Sequence, residues 1–538
     1  MNWKTIFYIF ILSFFISACS LKNDIKKDLS DTDFIYLNNN MFKLKCEKFF
    51  PIMLNYAICL RKIDNQYIVS PYKIYENPKD YEFNNLDSAY NQLRGHLKIV
   101  KEMGFNSIRL IFDRMELINE NYYYVTDKDR LSINSKSDSI ISALAKYIKI
   151  AEEEDVRIML LIKSPIKNAE LENFTIQLLK KFSNNPVIFA YDFFNEPLYF
   201  DVVDKNDKYK DRDKKEVYQI VKRWRKLMND YAPNQMLTIG FSEPIEVFEW
   251  DPSILDIDFV SFHTYHPLRV PNEIYWYSKY CKKPWMVSET SLPADNDSIT
   301  YDEQADFLKE TYKRVVDCGG IGFGWWEFQE IPMTTFEATY AGLINQDGTT
   351  STPDNSYTMR GSIKPAVETL KEIKSYKPSK NGDRWNNYYN MLGYNNFLIT
   401  GRVLNSTDLK PVEGAVIRGW DANWEIAVNS YSDENGFFKL FSNEKCVNFY
   451  VSAPGMSFIK YYQEIYYSKL NNNFDINTIL PSQKLEYHNI SYKTFLKYPI
   501  DSIGKVNYIF NFEESKFNQA KFVGHMGIIK LEPLDFVK

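Results

Sequence analysis

The sequence lacks the features that would place it in several large classes of protein. Lys and Arg number 65 against 70 Asp and Glu, so there is no basic excess and binding to nucleic acid is not expected. No glycine-rich phosphate turn follows an early strand, which argues against a doubly wound nucleotide-binding sheet. After the first twenty residues no segment is apolar enough to span a bilayer. The composition, 45% hydrophobic and 25% charged, is that of a folded globular protein.

Cysteine and histidine are both scarce, with six and five residues in 538. The cysteines beyond Cys19 are scattered without C-x-x-C spacing: Cys46, Cys59, Cys281, Cys318 and Cys446. We therefore expect no metal site and no cofactor, whereas a disulfide between two of them is compatible with the sequence but not deducible from it. The length predicts two or three domains. Aromatic residues reach 16%, and ring-rich proteins often bind sugars, because an apolar sugar face stacks on an aromatic ring.

The N-terminus has the pattern of an export signal. Lys4 precedes the apolar run Thr5 to Ile16, and Ile16-Ser17-Ala18-Cys19 resembles the lipobox of bacterial lipoproteins. That resemblance implies a signal peptide over residues 1–18 and lipid on Cys19, which would anchor the chain to a membrane without spanning it. A plain secretory signal with a chance cysteine is the alternative. We expect residues 19–45 to form a tether, and the protein to be lipid-anchored at the outer membrane or cell surface, or facing the periplasm.

From residue 46 to 377 short apolar runs alternate with amphipathic helical stretches. The runs predicted as strands are Pro51–Ala57, Asn106–Ile111, Val156–Ile162, Val187–Phe193, Met236–Gly240, Ile257–Phe262, Pro284–Ser288 and Gly320–Trp325. Leu93, Leu97 and Val100 show the helical spacing of three and four between them. Eight strand–helix units over this length predict an α/β fold, a (β/α)8 TIM barrel.

The periodicity changes after residue 377. Residues 378–396 are predicted to be a linker, and 397–538 a β-sandwich with a C-terminal extension. Gly401 with Val403, Gly414–Ile417 and the turn Asp433–Phe438 resemble the carboxypeptidase regulatory-like domain. The resemblance implies an Ig-like module without chemistry of its own. Tyr508–Phe512 and Gly527–Leu531 are further strand candidates.

Polar groups follow three of the predicted barrel strands. Glu196 lies in Asn195-Glu196-Pro197 after one strand and Glu289 ends another, where the loops of a barrel converge. A retaining glycosidase needs two such carboxyl groups about 5 Å apart. Read singly, each glutamate is equally compatible with an ordinary turn or a solvated strand end. His263 and Tyr265 point to one side of an extended segment, and a metal half-site there lacks a third ligand.

Residues 50–377 resemble glycoside hydrolase family 5, the cellulase and β-mannanase family of clan A. Five motifs in barrel order carry the likeness: Gly104–Leu110 with Arg109, Asn195-Glu196-Pro197, His263-Thr264-Tyr265, Glu289, and Gly322–Trp326. Each motif is weak alone, whereas five in the right order at strand ends are specific together.

The resemblance also implies roles for these residues. Glu196 would be the acid/base and Glu289 the nucleophile, with Arg109 and Tyr265 supporting Glu289. Asn195 and His263 would bind or support the substrate. One of Trp325 and Trp326 would form the floor under the reacting sugar, and since adjacent strand residues face opposite ways, only one should do so.

The chain departs from the family in one position. The third predicted strand runs into Lys163, where the family commonly has a histidine, and Lys163 is either a substitute sugar contact or a solvated strand end. The substitution bears on substrate identity more than on reaction type. We expect a monomeric hydrolase of a β-glucan- or β-mannan-type polysaccharide or oligosaccharide. An inactive surface glycan-binding lipoprotein, or another clan A glycosidase or transglycosylase, are the alternatives.

Overall fold

The structure is a computed structural model that describes residues 32–63, 66–72, 75–76, 86–115, 137–164, 166, 172–200, 212–331, 335–378, 389, 394–462, 465–469 and 520–537. Cys19 and its signal, most of the predicted linker and the candidate strand Tyr508–Phe512 lie outside these residues. Within them, no helix combines the length and apolar content that a membrane crossing requires.

Eight parallel strands close into a barrel. After three short strands, β1 (Tyr36–Asn38), β2 (Met41–Leu44) and β3 (Glu47–Lys48), the barrel strands are β4 (Ile52–Ile63), β6 (Ser107–Met115), β7 (Arg157–Leu161), β8 (Ile188–Asn195), β9 (Met236–Phe241), β10 (Val260–His263), β11 (Trp285–Glu289) and β12 (Phe323–Trp325). Neighbours pair in this order, and β12 pairs with β4. The predicted (β/α)8 fold is confirmed, because each of the eight predicted runs overlaps one of these strands, in the same sequence order. One strand that was not predicted, β5 (Gln66–Pro71), pairs antiparallel with β4.

Helices follow the strands. They are α1 (Leu86–Glu102), α2 (Ser137–Glu153), α3 (Asn173–Phe182), α4 (Pro197–Phe200), α5 (Lys214–Tyr231), α6 (Val270–Tyr280), α7 (Tyr301–Asp317), α8 (Phe336–Tyr340) and α9 (Ala366–Ile373), with a 3-10 helix at Pro244–Phe248. Leu93, Leu97 and Val100 of α1 are buried, as their spacing predicts. Thr300 and Glu303 form a reciprocal capping box at the start of α7. Thr349–Ser351 (β13) and Thr358–Arg360 (β14) form a small hairpin.

The sheet β1–β3 closes the bottom of the barrel. Phe42 packs edge-on against Phe189 and Phe259, with ring centroids 5.9 and 5.0 Å apart, and Ile35 is buried in the same cluster. The barrel residues of this cluster lie within about three residues of the start of their strands. The predicted tether over 19–45 is therefore corrected for residues 36–44, which form strands of a small sheet packed against the barrel.

Two four-stranded sheets form the C-terminal region. One has the order β18 (Phe437–Ser442), β15 (Phe397–Asn405), β22 (Phe522–Leu531) and β21 (Tyr467–Lys469). The other has the order β17 (Ala427–Tyr431), β16 (Val416–Trp420), β19 (Asn448–Ser452) and β20 (Ile459–Tyr462). Buried residues of both sheets, such as Ile399, Phe438 and Phe449, share one core, as in a β-sandwich. The candidate strand Gly527–Leu531 lies within β22, which pairs parallel to β15.

The sandwich is packed closely against the barrel. Buried Lys214 donates to Asp251 Oδ2 (2.9 Å) and to the carbonyl of Met456 (2.8 Å) in the sandwich, and the amide of Gly455 donates to the same Asp251 oxygen (2.9 Å). The indole of Trp276 donates to the carbonyl of Gly414 (2.9 Å). Because buried polar groups are bonded across it, this interface holds the two regions in one arrangement.

Candidate active site

The predicted site residues meet at the carboxyl ends of the barrel strands. Glu289 and His263 are the last residues of β11 and β10, Glu196 follows β8 directly, and Arg109 lies within β6. Because the strands are parallel and form a closed ring, their carboxyl ends converge on one mouth. The structure thus brings together residues that are up to 180 positions apart in the sequence.

Glu289 is held by two donors. Arg109 Nη1 donates to its Oε1, and the hydroxyl of Tyr265 donates to its Oε2. Charge-assisted hydrogen bonds of this kind are among the stronger ones in proteins. A carboxylate is thus fixed at the centre of the mouth with both oxygens occupied on the protein side.

Arg109 is the centre of a buried polar cluster. Its Nε and Nη2 donate to Asp192 Oδ2 (2.9 and 2.7 Å), Nη2 also to Asn195 Oδ1 (2.8 Å), and Nη1 to Asn55 Oδ1 (3.2 Å). Burial opposes its charge, but Asp192 and Glu289 raise the pKa of the guanidinium above its usual value. The buried cation is therefore fully compensated, as a charge without water must be.

Glu196 sits in a different environment. Its carboxyl Oε1 lies 2.7 Å from His263 Nδ1, and its side chain is 17% exposed. Burial raises the pKa of Glu196 from 4.5 to about 7, with Arg109 lowering it and Glu243 raising it further. Burial lowers the pKa of His263 to about 4, so this imidazole is neutral at pH 7. Glu196 therefore keeps its proton in part of the molecules at neutral pH.

The two glutamates are close to each other. One oxygen of Glu196, one of Glu289 and one ring nitrogen of His263 lie within 4.8 Å of one another. Carboxyl groups about 5 Å apart suit a double displacement, and those of inverting glycosidases are about 6.5–9.5 Å apart. The three side chains could also offer ligands to a metal ion, but Arg109 places a fixed positive charge against a cation at Glu289. The absence of a metal site stays a prediction.

Local backbone conformation serves this geometry. Glu196 and Lys163, at the ends of neighbouring strands, have φ of 43° and 41°, the left-handed region that non-glycine residues seldom adopt. Such conformations concentrate at functional sites. Gly240 leaves the space that the cluster occupies, since a Cβ there would lie 2.9 Å from both Arg109 Nη2 and Asp192 Oδ2.

The structure separates the two tryptophans that the sequence left undecided. Trp325 is fully buried, and its indole donates to the carbonyl of Ala341 (3.1 Å). Trp326 lines a cavity of about 260 Å³ together with Tyr265, Leu292 and Phe336. Only Trp326 is therefore placed to contact a ligand in this cavity.

Sequence reasoning missed two members of the central cluster. Asn55 and Asp192 lie inside apolar strand segments, Ile52-Met53-Leu54-Asn55 and Phe189-Ala190-Tyr191-Asp192, and both are fully buried. Asn55 also donates to the carbonyls of Ser288 (2.8 Å) and Trp325 (3.0 Å). A single polar residue in a buried parallel strand must find a partner, and that signal was available.

A second polar group borders Glu196. Arg269 pairs with Glu243 and Glu273, at 2.8 Å each, and the Tyr199 hydroxyl donates to Glu243 Oε1 (2.7 Å). Tyr199 belongs to α4, which begins immediately after Glu196, and it is 44% exposed. This group forms the edge of the mouth on the side of Glu196.

No family model and no curated protein sequence matches the chain. Among solved structures, an exo-β-1,4-mannosidase from Opitutaceae bacterium strain TAV5 is 12% identical over 63% of this chain and 62% of its own, with a TM-score of 0.44. GH5_18 from Streptomyces cattleya in complex with GlcNAc is 14% identical over 60% and 82%, with a TM-score of 0.42. A family 1 β-glucosidase from Thermotoga maritima is 11% identical over 61% and 98%, with a TM-score of 0.40. This chain thus spans less than two thirds of the mannosidase, and all three likenesses are distant.

Proposed function

We propose that the protein is a retaining glycoside hydrolase that cleaves β-glycosidic bonds with Glu289 as nucleophile and Glu196 as acid/base. The observation that carries the proposal is a pair of carboxyl groups in contrasting environments, with one oxygen of Glu196 within 4.8 Å of one oxygen of Glu289. Glu289 accepts from a cation and a phenol, whereas burial holds the pKa of Glu196 near 7. Such a contrast separates an anionic nucleophile from a proton donor.

In the first step Glu289 attacks the anomeric carbon while Glu196 donates its proton to the departing glycosidic oxygen. The bond between carbon and oxygen breaks, and the sugar becomes esterified to Glu289. Tyr265 and Arg109 orient the attacking oxygen, and they stabilise the negative charge that Glu289 carries until the ester forms.

In the second step Glu196, now ionised, removes a proton from water. The water attacks the anomeric carbon, the ester bond to Glu289 breaks, and the sugar leaves with its original configuration. His263 lies between the two glutamates as a neutral imidazole, with Nδ1 on Glu196 and Nε2 3.5 Å from Glu289 Oε1. It therefore orients Glu196 without adding a second positive charge beside it.

The substrate class that we propose is a β-glucan- or β-mannan-type polysaccharide or oligosaccharide. The family 5 motifs support this class, as does Trp326, which offers an indole beside Tyr265 in the cavity. Lys163 replaces the histidine that is usual in family 5, and its Nζ lies 5.5 Å from the centre of the Phe200 ring. It is a candidate contact to the sugar hydroxyls in which β-glucans and β-mannans differ.

Hydrolysis of β-glucans, β-mannans and β-xylans by the chain without residues 1–19 tests the activity. Chemical rescue tests the two roles, with 2,4-dinitrophenyl β-glycosides as substrates and azide as the added nucleophile. We expect Glu289→Gly to give the α-glycosyl azide and Glu196→Ala to give the β-glycosyl azide, because azide replaces the nucleophile in one case and the water in the other. Glu310→Ala, at an exposed position on α7, is the matched carboxylate control and should give hydrolysis product alone.

If the unaltered chain hydrolyses none of these polymers or aryl glycosides but binds one of the polymers, the glycan-binding alternative replaces this proposal. If the sugar is released first as the α-anomer, the reaction inverts the configuration and the assignment of Glu289 as nucleophile fails. Transfer to an added sugar acceptor in preference to water would identify a transglycosylase with the same two glutamates.

We also propose that lipid on Cys19 holds the enzyme at the surface of a bacterial membrane. The support is the lipobox-like sequence Ile16-Ser17-Ala18-Cys19 after an apolar run that is too short to span a bilayer. In cells, the unaltered protein should partition into the detergent phase of a Triton X-114 extract and carry an acylated N-terminal cysteine by mass spectrometry. Cys19→Ser should remain unprocessed, and normal processing of this variant would point to a plain secretory signal.

A further inference from the structure

A row of aromatic rings runs from the barrel to the free end of the sandwich. Successive ring centroids are 5.3 Å apart from Phe248 to Phe458, 5.0 Å to Tyr450, 4.6 Å to Trp420 and 5.2 Å to Trp424. Phe248 belongs to the barrel, and the other rings come from the sheet β17-β16-β19-β20 and the segments that connect its strands. The row therefore continues a packed domain interface outward.

The outer end of this row is open to solvent. Trp424 is 44% exposed, and Tyr462, with its ring centroid 6.2 Å from that of Trp424, is 65% exposed. The inner rings are covered by cations, with Arg418 over Trp420 at 5.1 Å and Lys460 over Tyr450 at 4.9 Å. Trp424 and Tyr462 are thus the two rings of the row that are most accessible to a ligand.

The backbone presents Trp424 in an unusual way. Its φ is 63°, a conformation that suits Gly or Asn and that bulky residues rarely adopt. Asp421 Oδ1 stabilises the turn by accepting from the amides of Glu425 (2.8 Å) and Ile426 (2.9 Å). A large ring in a left-handed position, at a turn that the side chain of Asp421 braces, is the kind of strain that marks binding sites.

The same sheet borders the catalytic mouth on the side of Glu196. The 3-10 helix Pro244–Phe248 follows Glu243, which accepts from Tyr199, and it contacts strands β16 and β19 of the sheet. Burial and Glu243 raise the pKa of the Tyr199 phenol, whereas the charges of Arg269 and Arg418 lower it, which is consistent with Arg418 lying near this edge. Arg418 and Trp420 are on one face of β16, two residues apart.

We propose that Trp424 and Tyr462 form a glycan-binding platform that holds the leaving-group end of a long β-glycan chain. The platform rests on the proposed function for the direction of the chain, since Glu196 marks the side of the departing oxygen. It extends the catalytic mouth across Tyr199 onto the sandwich. The sandwich, expected from its sequence to have no chemistry of its own, then selects polymers over short substrates.

A lipid surface is the other ligand that exposed aromatic rings bind. Membrane-binding surfaces combine such rings with a broad set of aliphatic side chains. At this platform Ile426 is the exposed aliphatic neighbour in the turn, and the row leads to the catalytic mouth, so the observations favour the glycan.

Binding by the Glu289→Gln chain without residues 1–19 tests the platform apart from turnover. The probes are soluble β-mannan, β-glucan and β-xylan in affinity electrophoresis, and vesicles of phosphatidylethanolamine with phosphatidylglycerol in sedimentation. We expect at least one glycan to bind to the Glu289→Gln chain. Adding Trp424→Ala or Tyr462→Ala should weaken this binding about tenfold, whereas Trp424→Phe, which keeps a ring, should leave it nearly unchanged. Ile528→Ala, exposed on the other sheet, is the control and should bind as the parent does.

Equal glycan binding with and without the Trp424 ring, binding of none of the three glycans, or a Trp424-dependent affinity for vesicles would each overturn the platform. A melting temperature measured for every variant shows whether it is folded. In the active background, Trp424→Ala should leave the kcat/KM for a 2,4-dinitrophenyl β-glycoside unchanged and lower the kcat/KM for the bound polymer by about tenfold. Ring-dependent glycan binding by a chain that hydrolyses no aryl glycoside would sustain the platform and refute the proposed hydrolase.

Discussion

Replacing Glu196 by glutamine should stabilise the protein at alkaline pH. Burial raises the pKa of this carboxyl from 4.5 to about 7 in the folded state, so the folded protein tolerates its ionised form poorly. The stability that the protonated group contributes is fully present below pH 4.5 and is lost as the pH rises through 7. A neutral amide has no such loss.

The magnitude follows from the size of the pKa change. Each pKa unit is worth about 1.4 kcal/mol, so ionisation of Glu196 costs the folded state about 3 kcal/mol by pH 9. Relative to the unaltered protein, Glu196→Gln should therefore gain about 3 kcal/mol between pH 4 and pH 9. The other titrating groups are common to both proteins and largely cancel in the comparison.

Urea unfolding of both proteins at pH 4, 6, 8 and 9, followed by tryptophan fluorescence, measures this difference. Glu310→Gln, on an exposed face of α7, controls for the loss of a glutamate without burial. A difference between Glu196→Gln and the unaltered protein that stays constant from pH 4 to pH 9 would refute the reasoning, because Glu196 would then not hold a proton near neutrality.

Three further outcomes follow from the geometry of the site. The kcat/KM for an aryl β-glycoside should fall above pH 7 as Glu196 ionises. Glu243→Gln should move this fall in kcat/KM to lower pH, since Glu243 raises the pKa of Glu196. A fall that moves to higher pH in this variant would contradict the assignment. Tyr265→Phe removes one of two donors to Glu289 and should lower kcat/KM by roughly 10- to 100-fold at an unchanged melting temperature, whereas an equal loss of stability would indicate a structural role. Gly240→Ala should cost about 1–3 kcal/mol of stability and lower kcat as well, measured by urea unfolding and steady-state kinetics, because its Cβ would displace the central cluster; a fully active variant would show that the cluster yields easily.

The barrel could be predicted from the sequence because buried parallel strands are short continuous apolar runs, and eight of them recur at regular intervals. The same regularity predicted where Glu196 and Glu289 would meet, since polar residues at strand ends share one mouth. Strand β5 was not predicted, because it forms an antiparallel hairpin with β4 and does not belong to the repeat of strand and helix that marks the barrel.

Other features depend on contacts between distant residues. The segment around Leu37-Asn38-Asn39-Asn40-Met41 is polar enough to predict a tether, and only its packing through Phe42 on Phe259 makes it part of the fold. Trp325 and Trp326 have the same side chain, so the sequence does not show which of them is buried. The structure buries Trp325 in the barrel and leaves Trp326 at the cavity. The contact between sandwich and barrel has no local sequence pattern either, because Lys214 and Asp251 stabilise it only once the fold brings them together.

The small sheet under the barrel sets how an anchored enzyme would stand. The first described strand, β1, lies in this sheet, at the end of the barrel opposite the mouth. A lipid on Cys19, 17 positions before Tyr36, would therefore attach on the floor side of the protein. The mouth would then open away from the bilayer toward the surrounding medium. Polymers too large to approach the membrane closely could then reach the cleft from the medium. A short tether would suffice, because the anchored enzyme would not have to reorient to bind them.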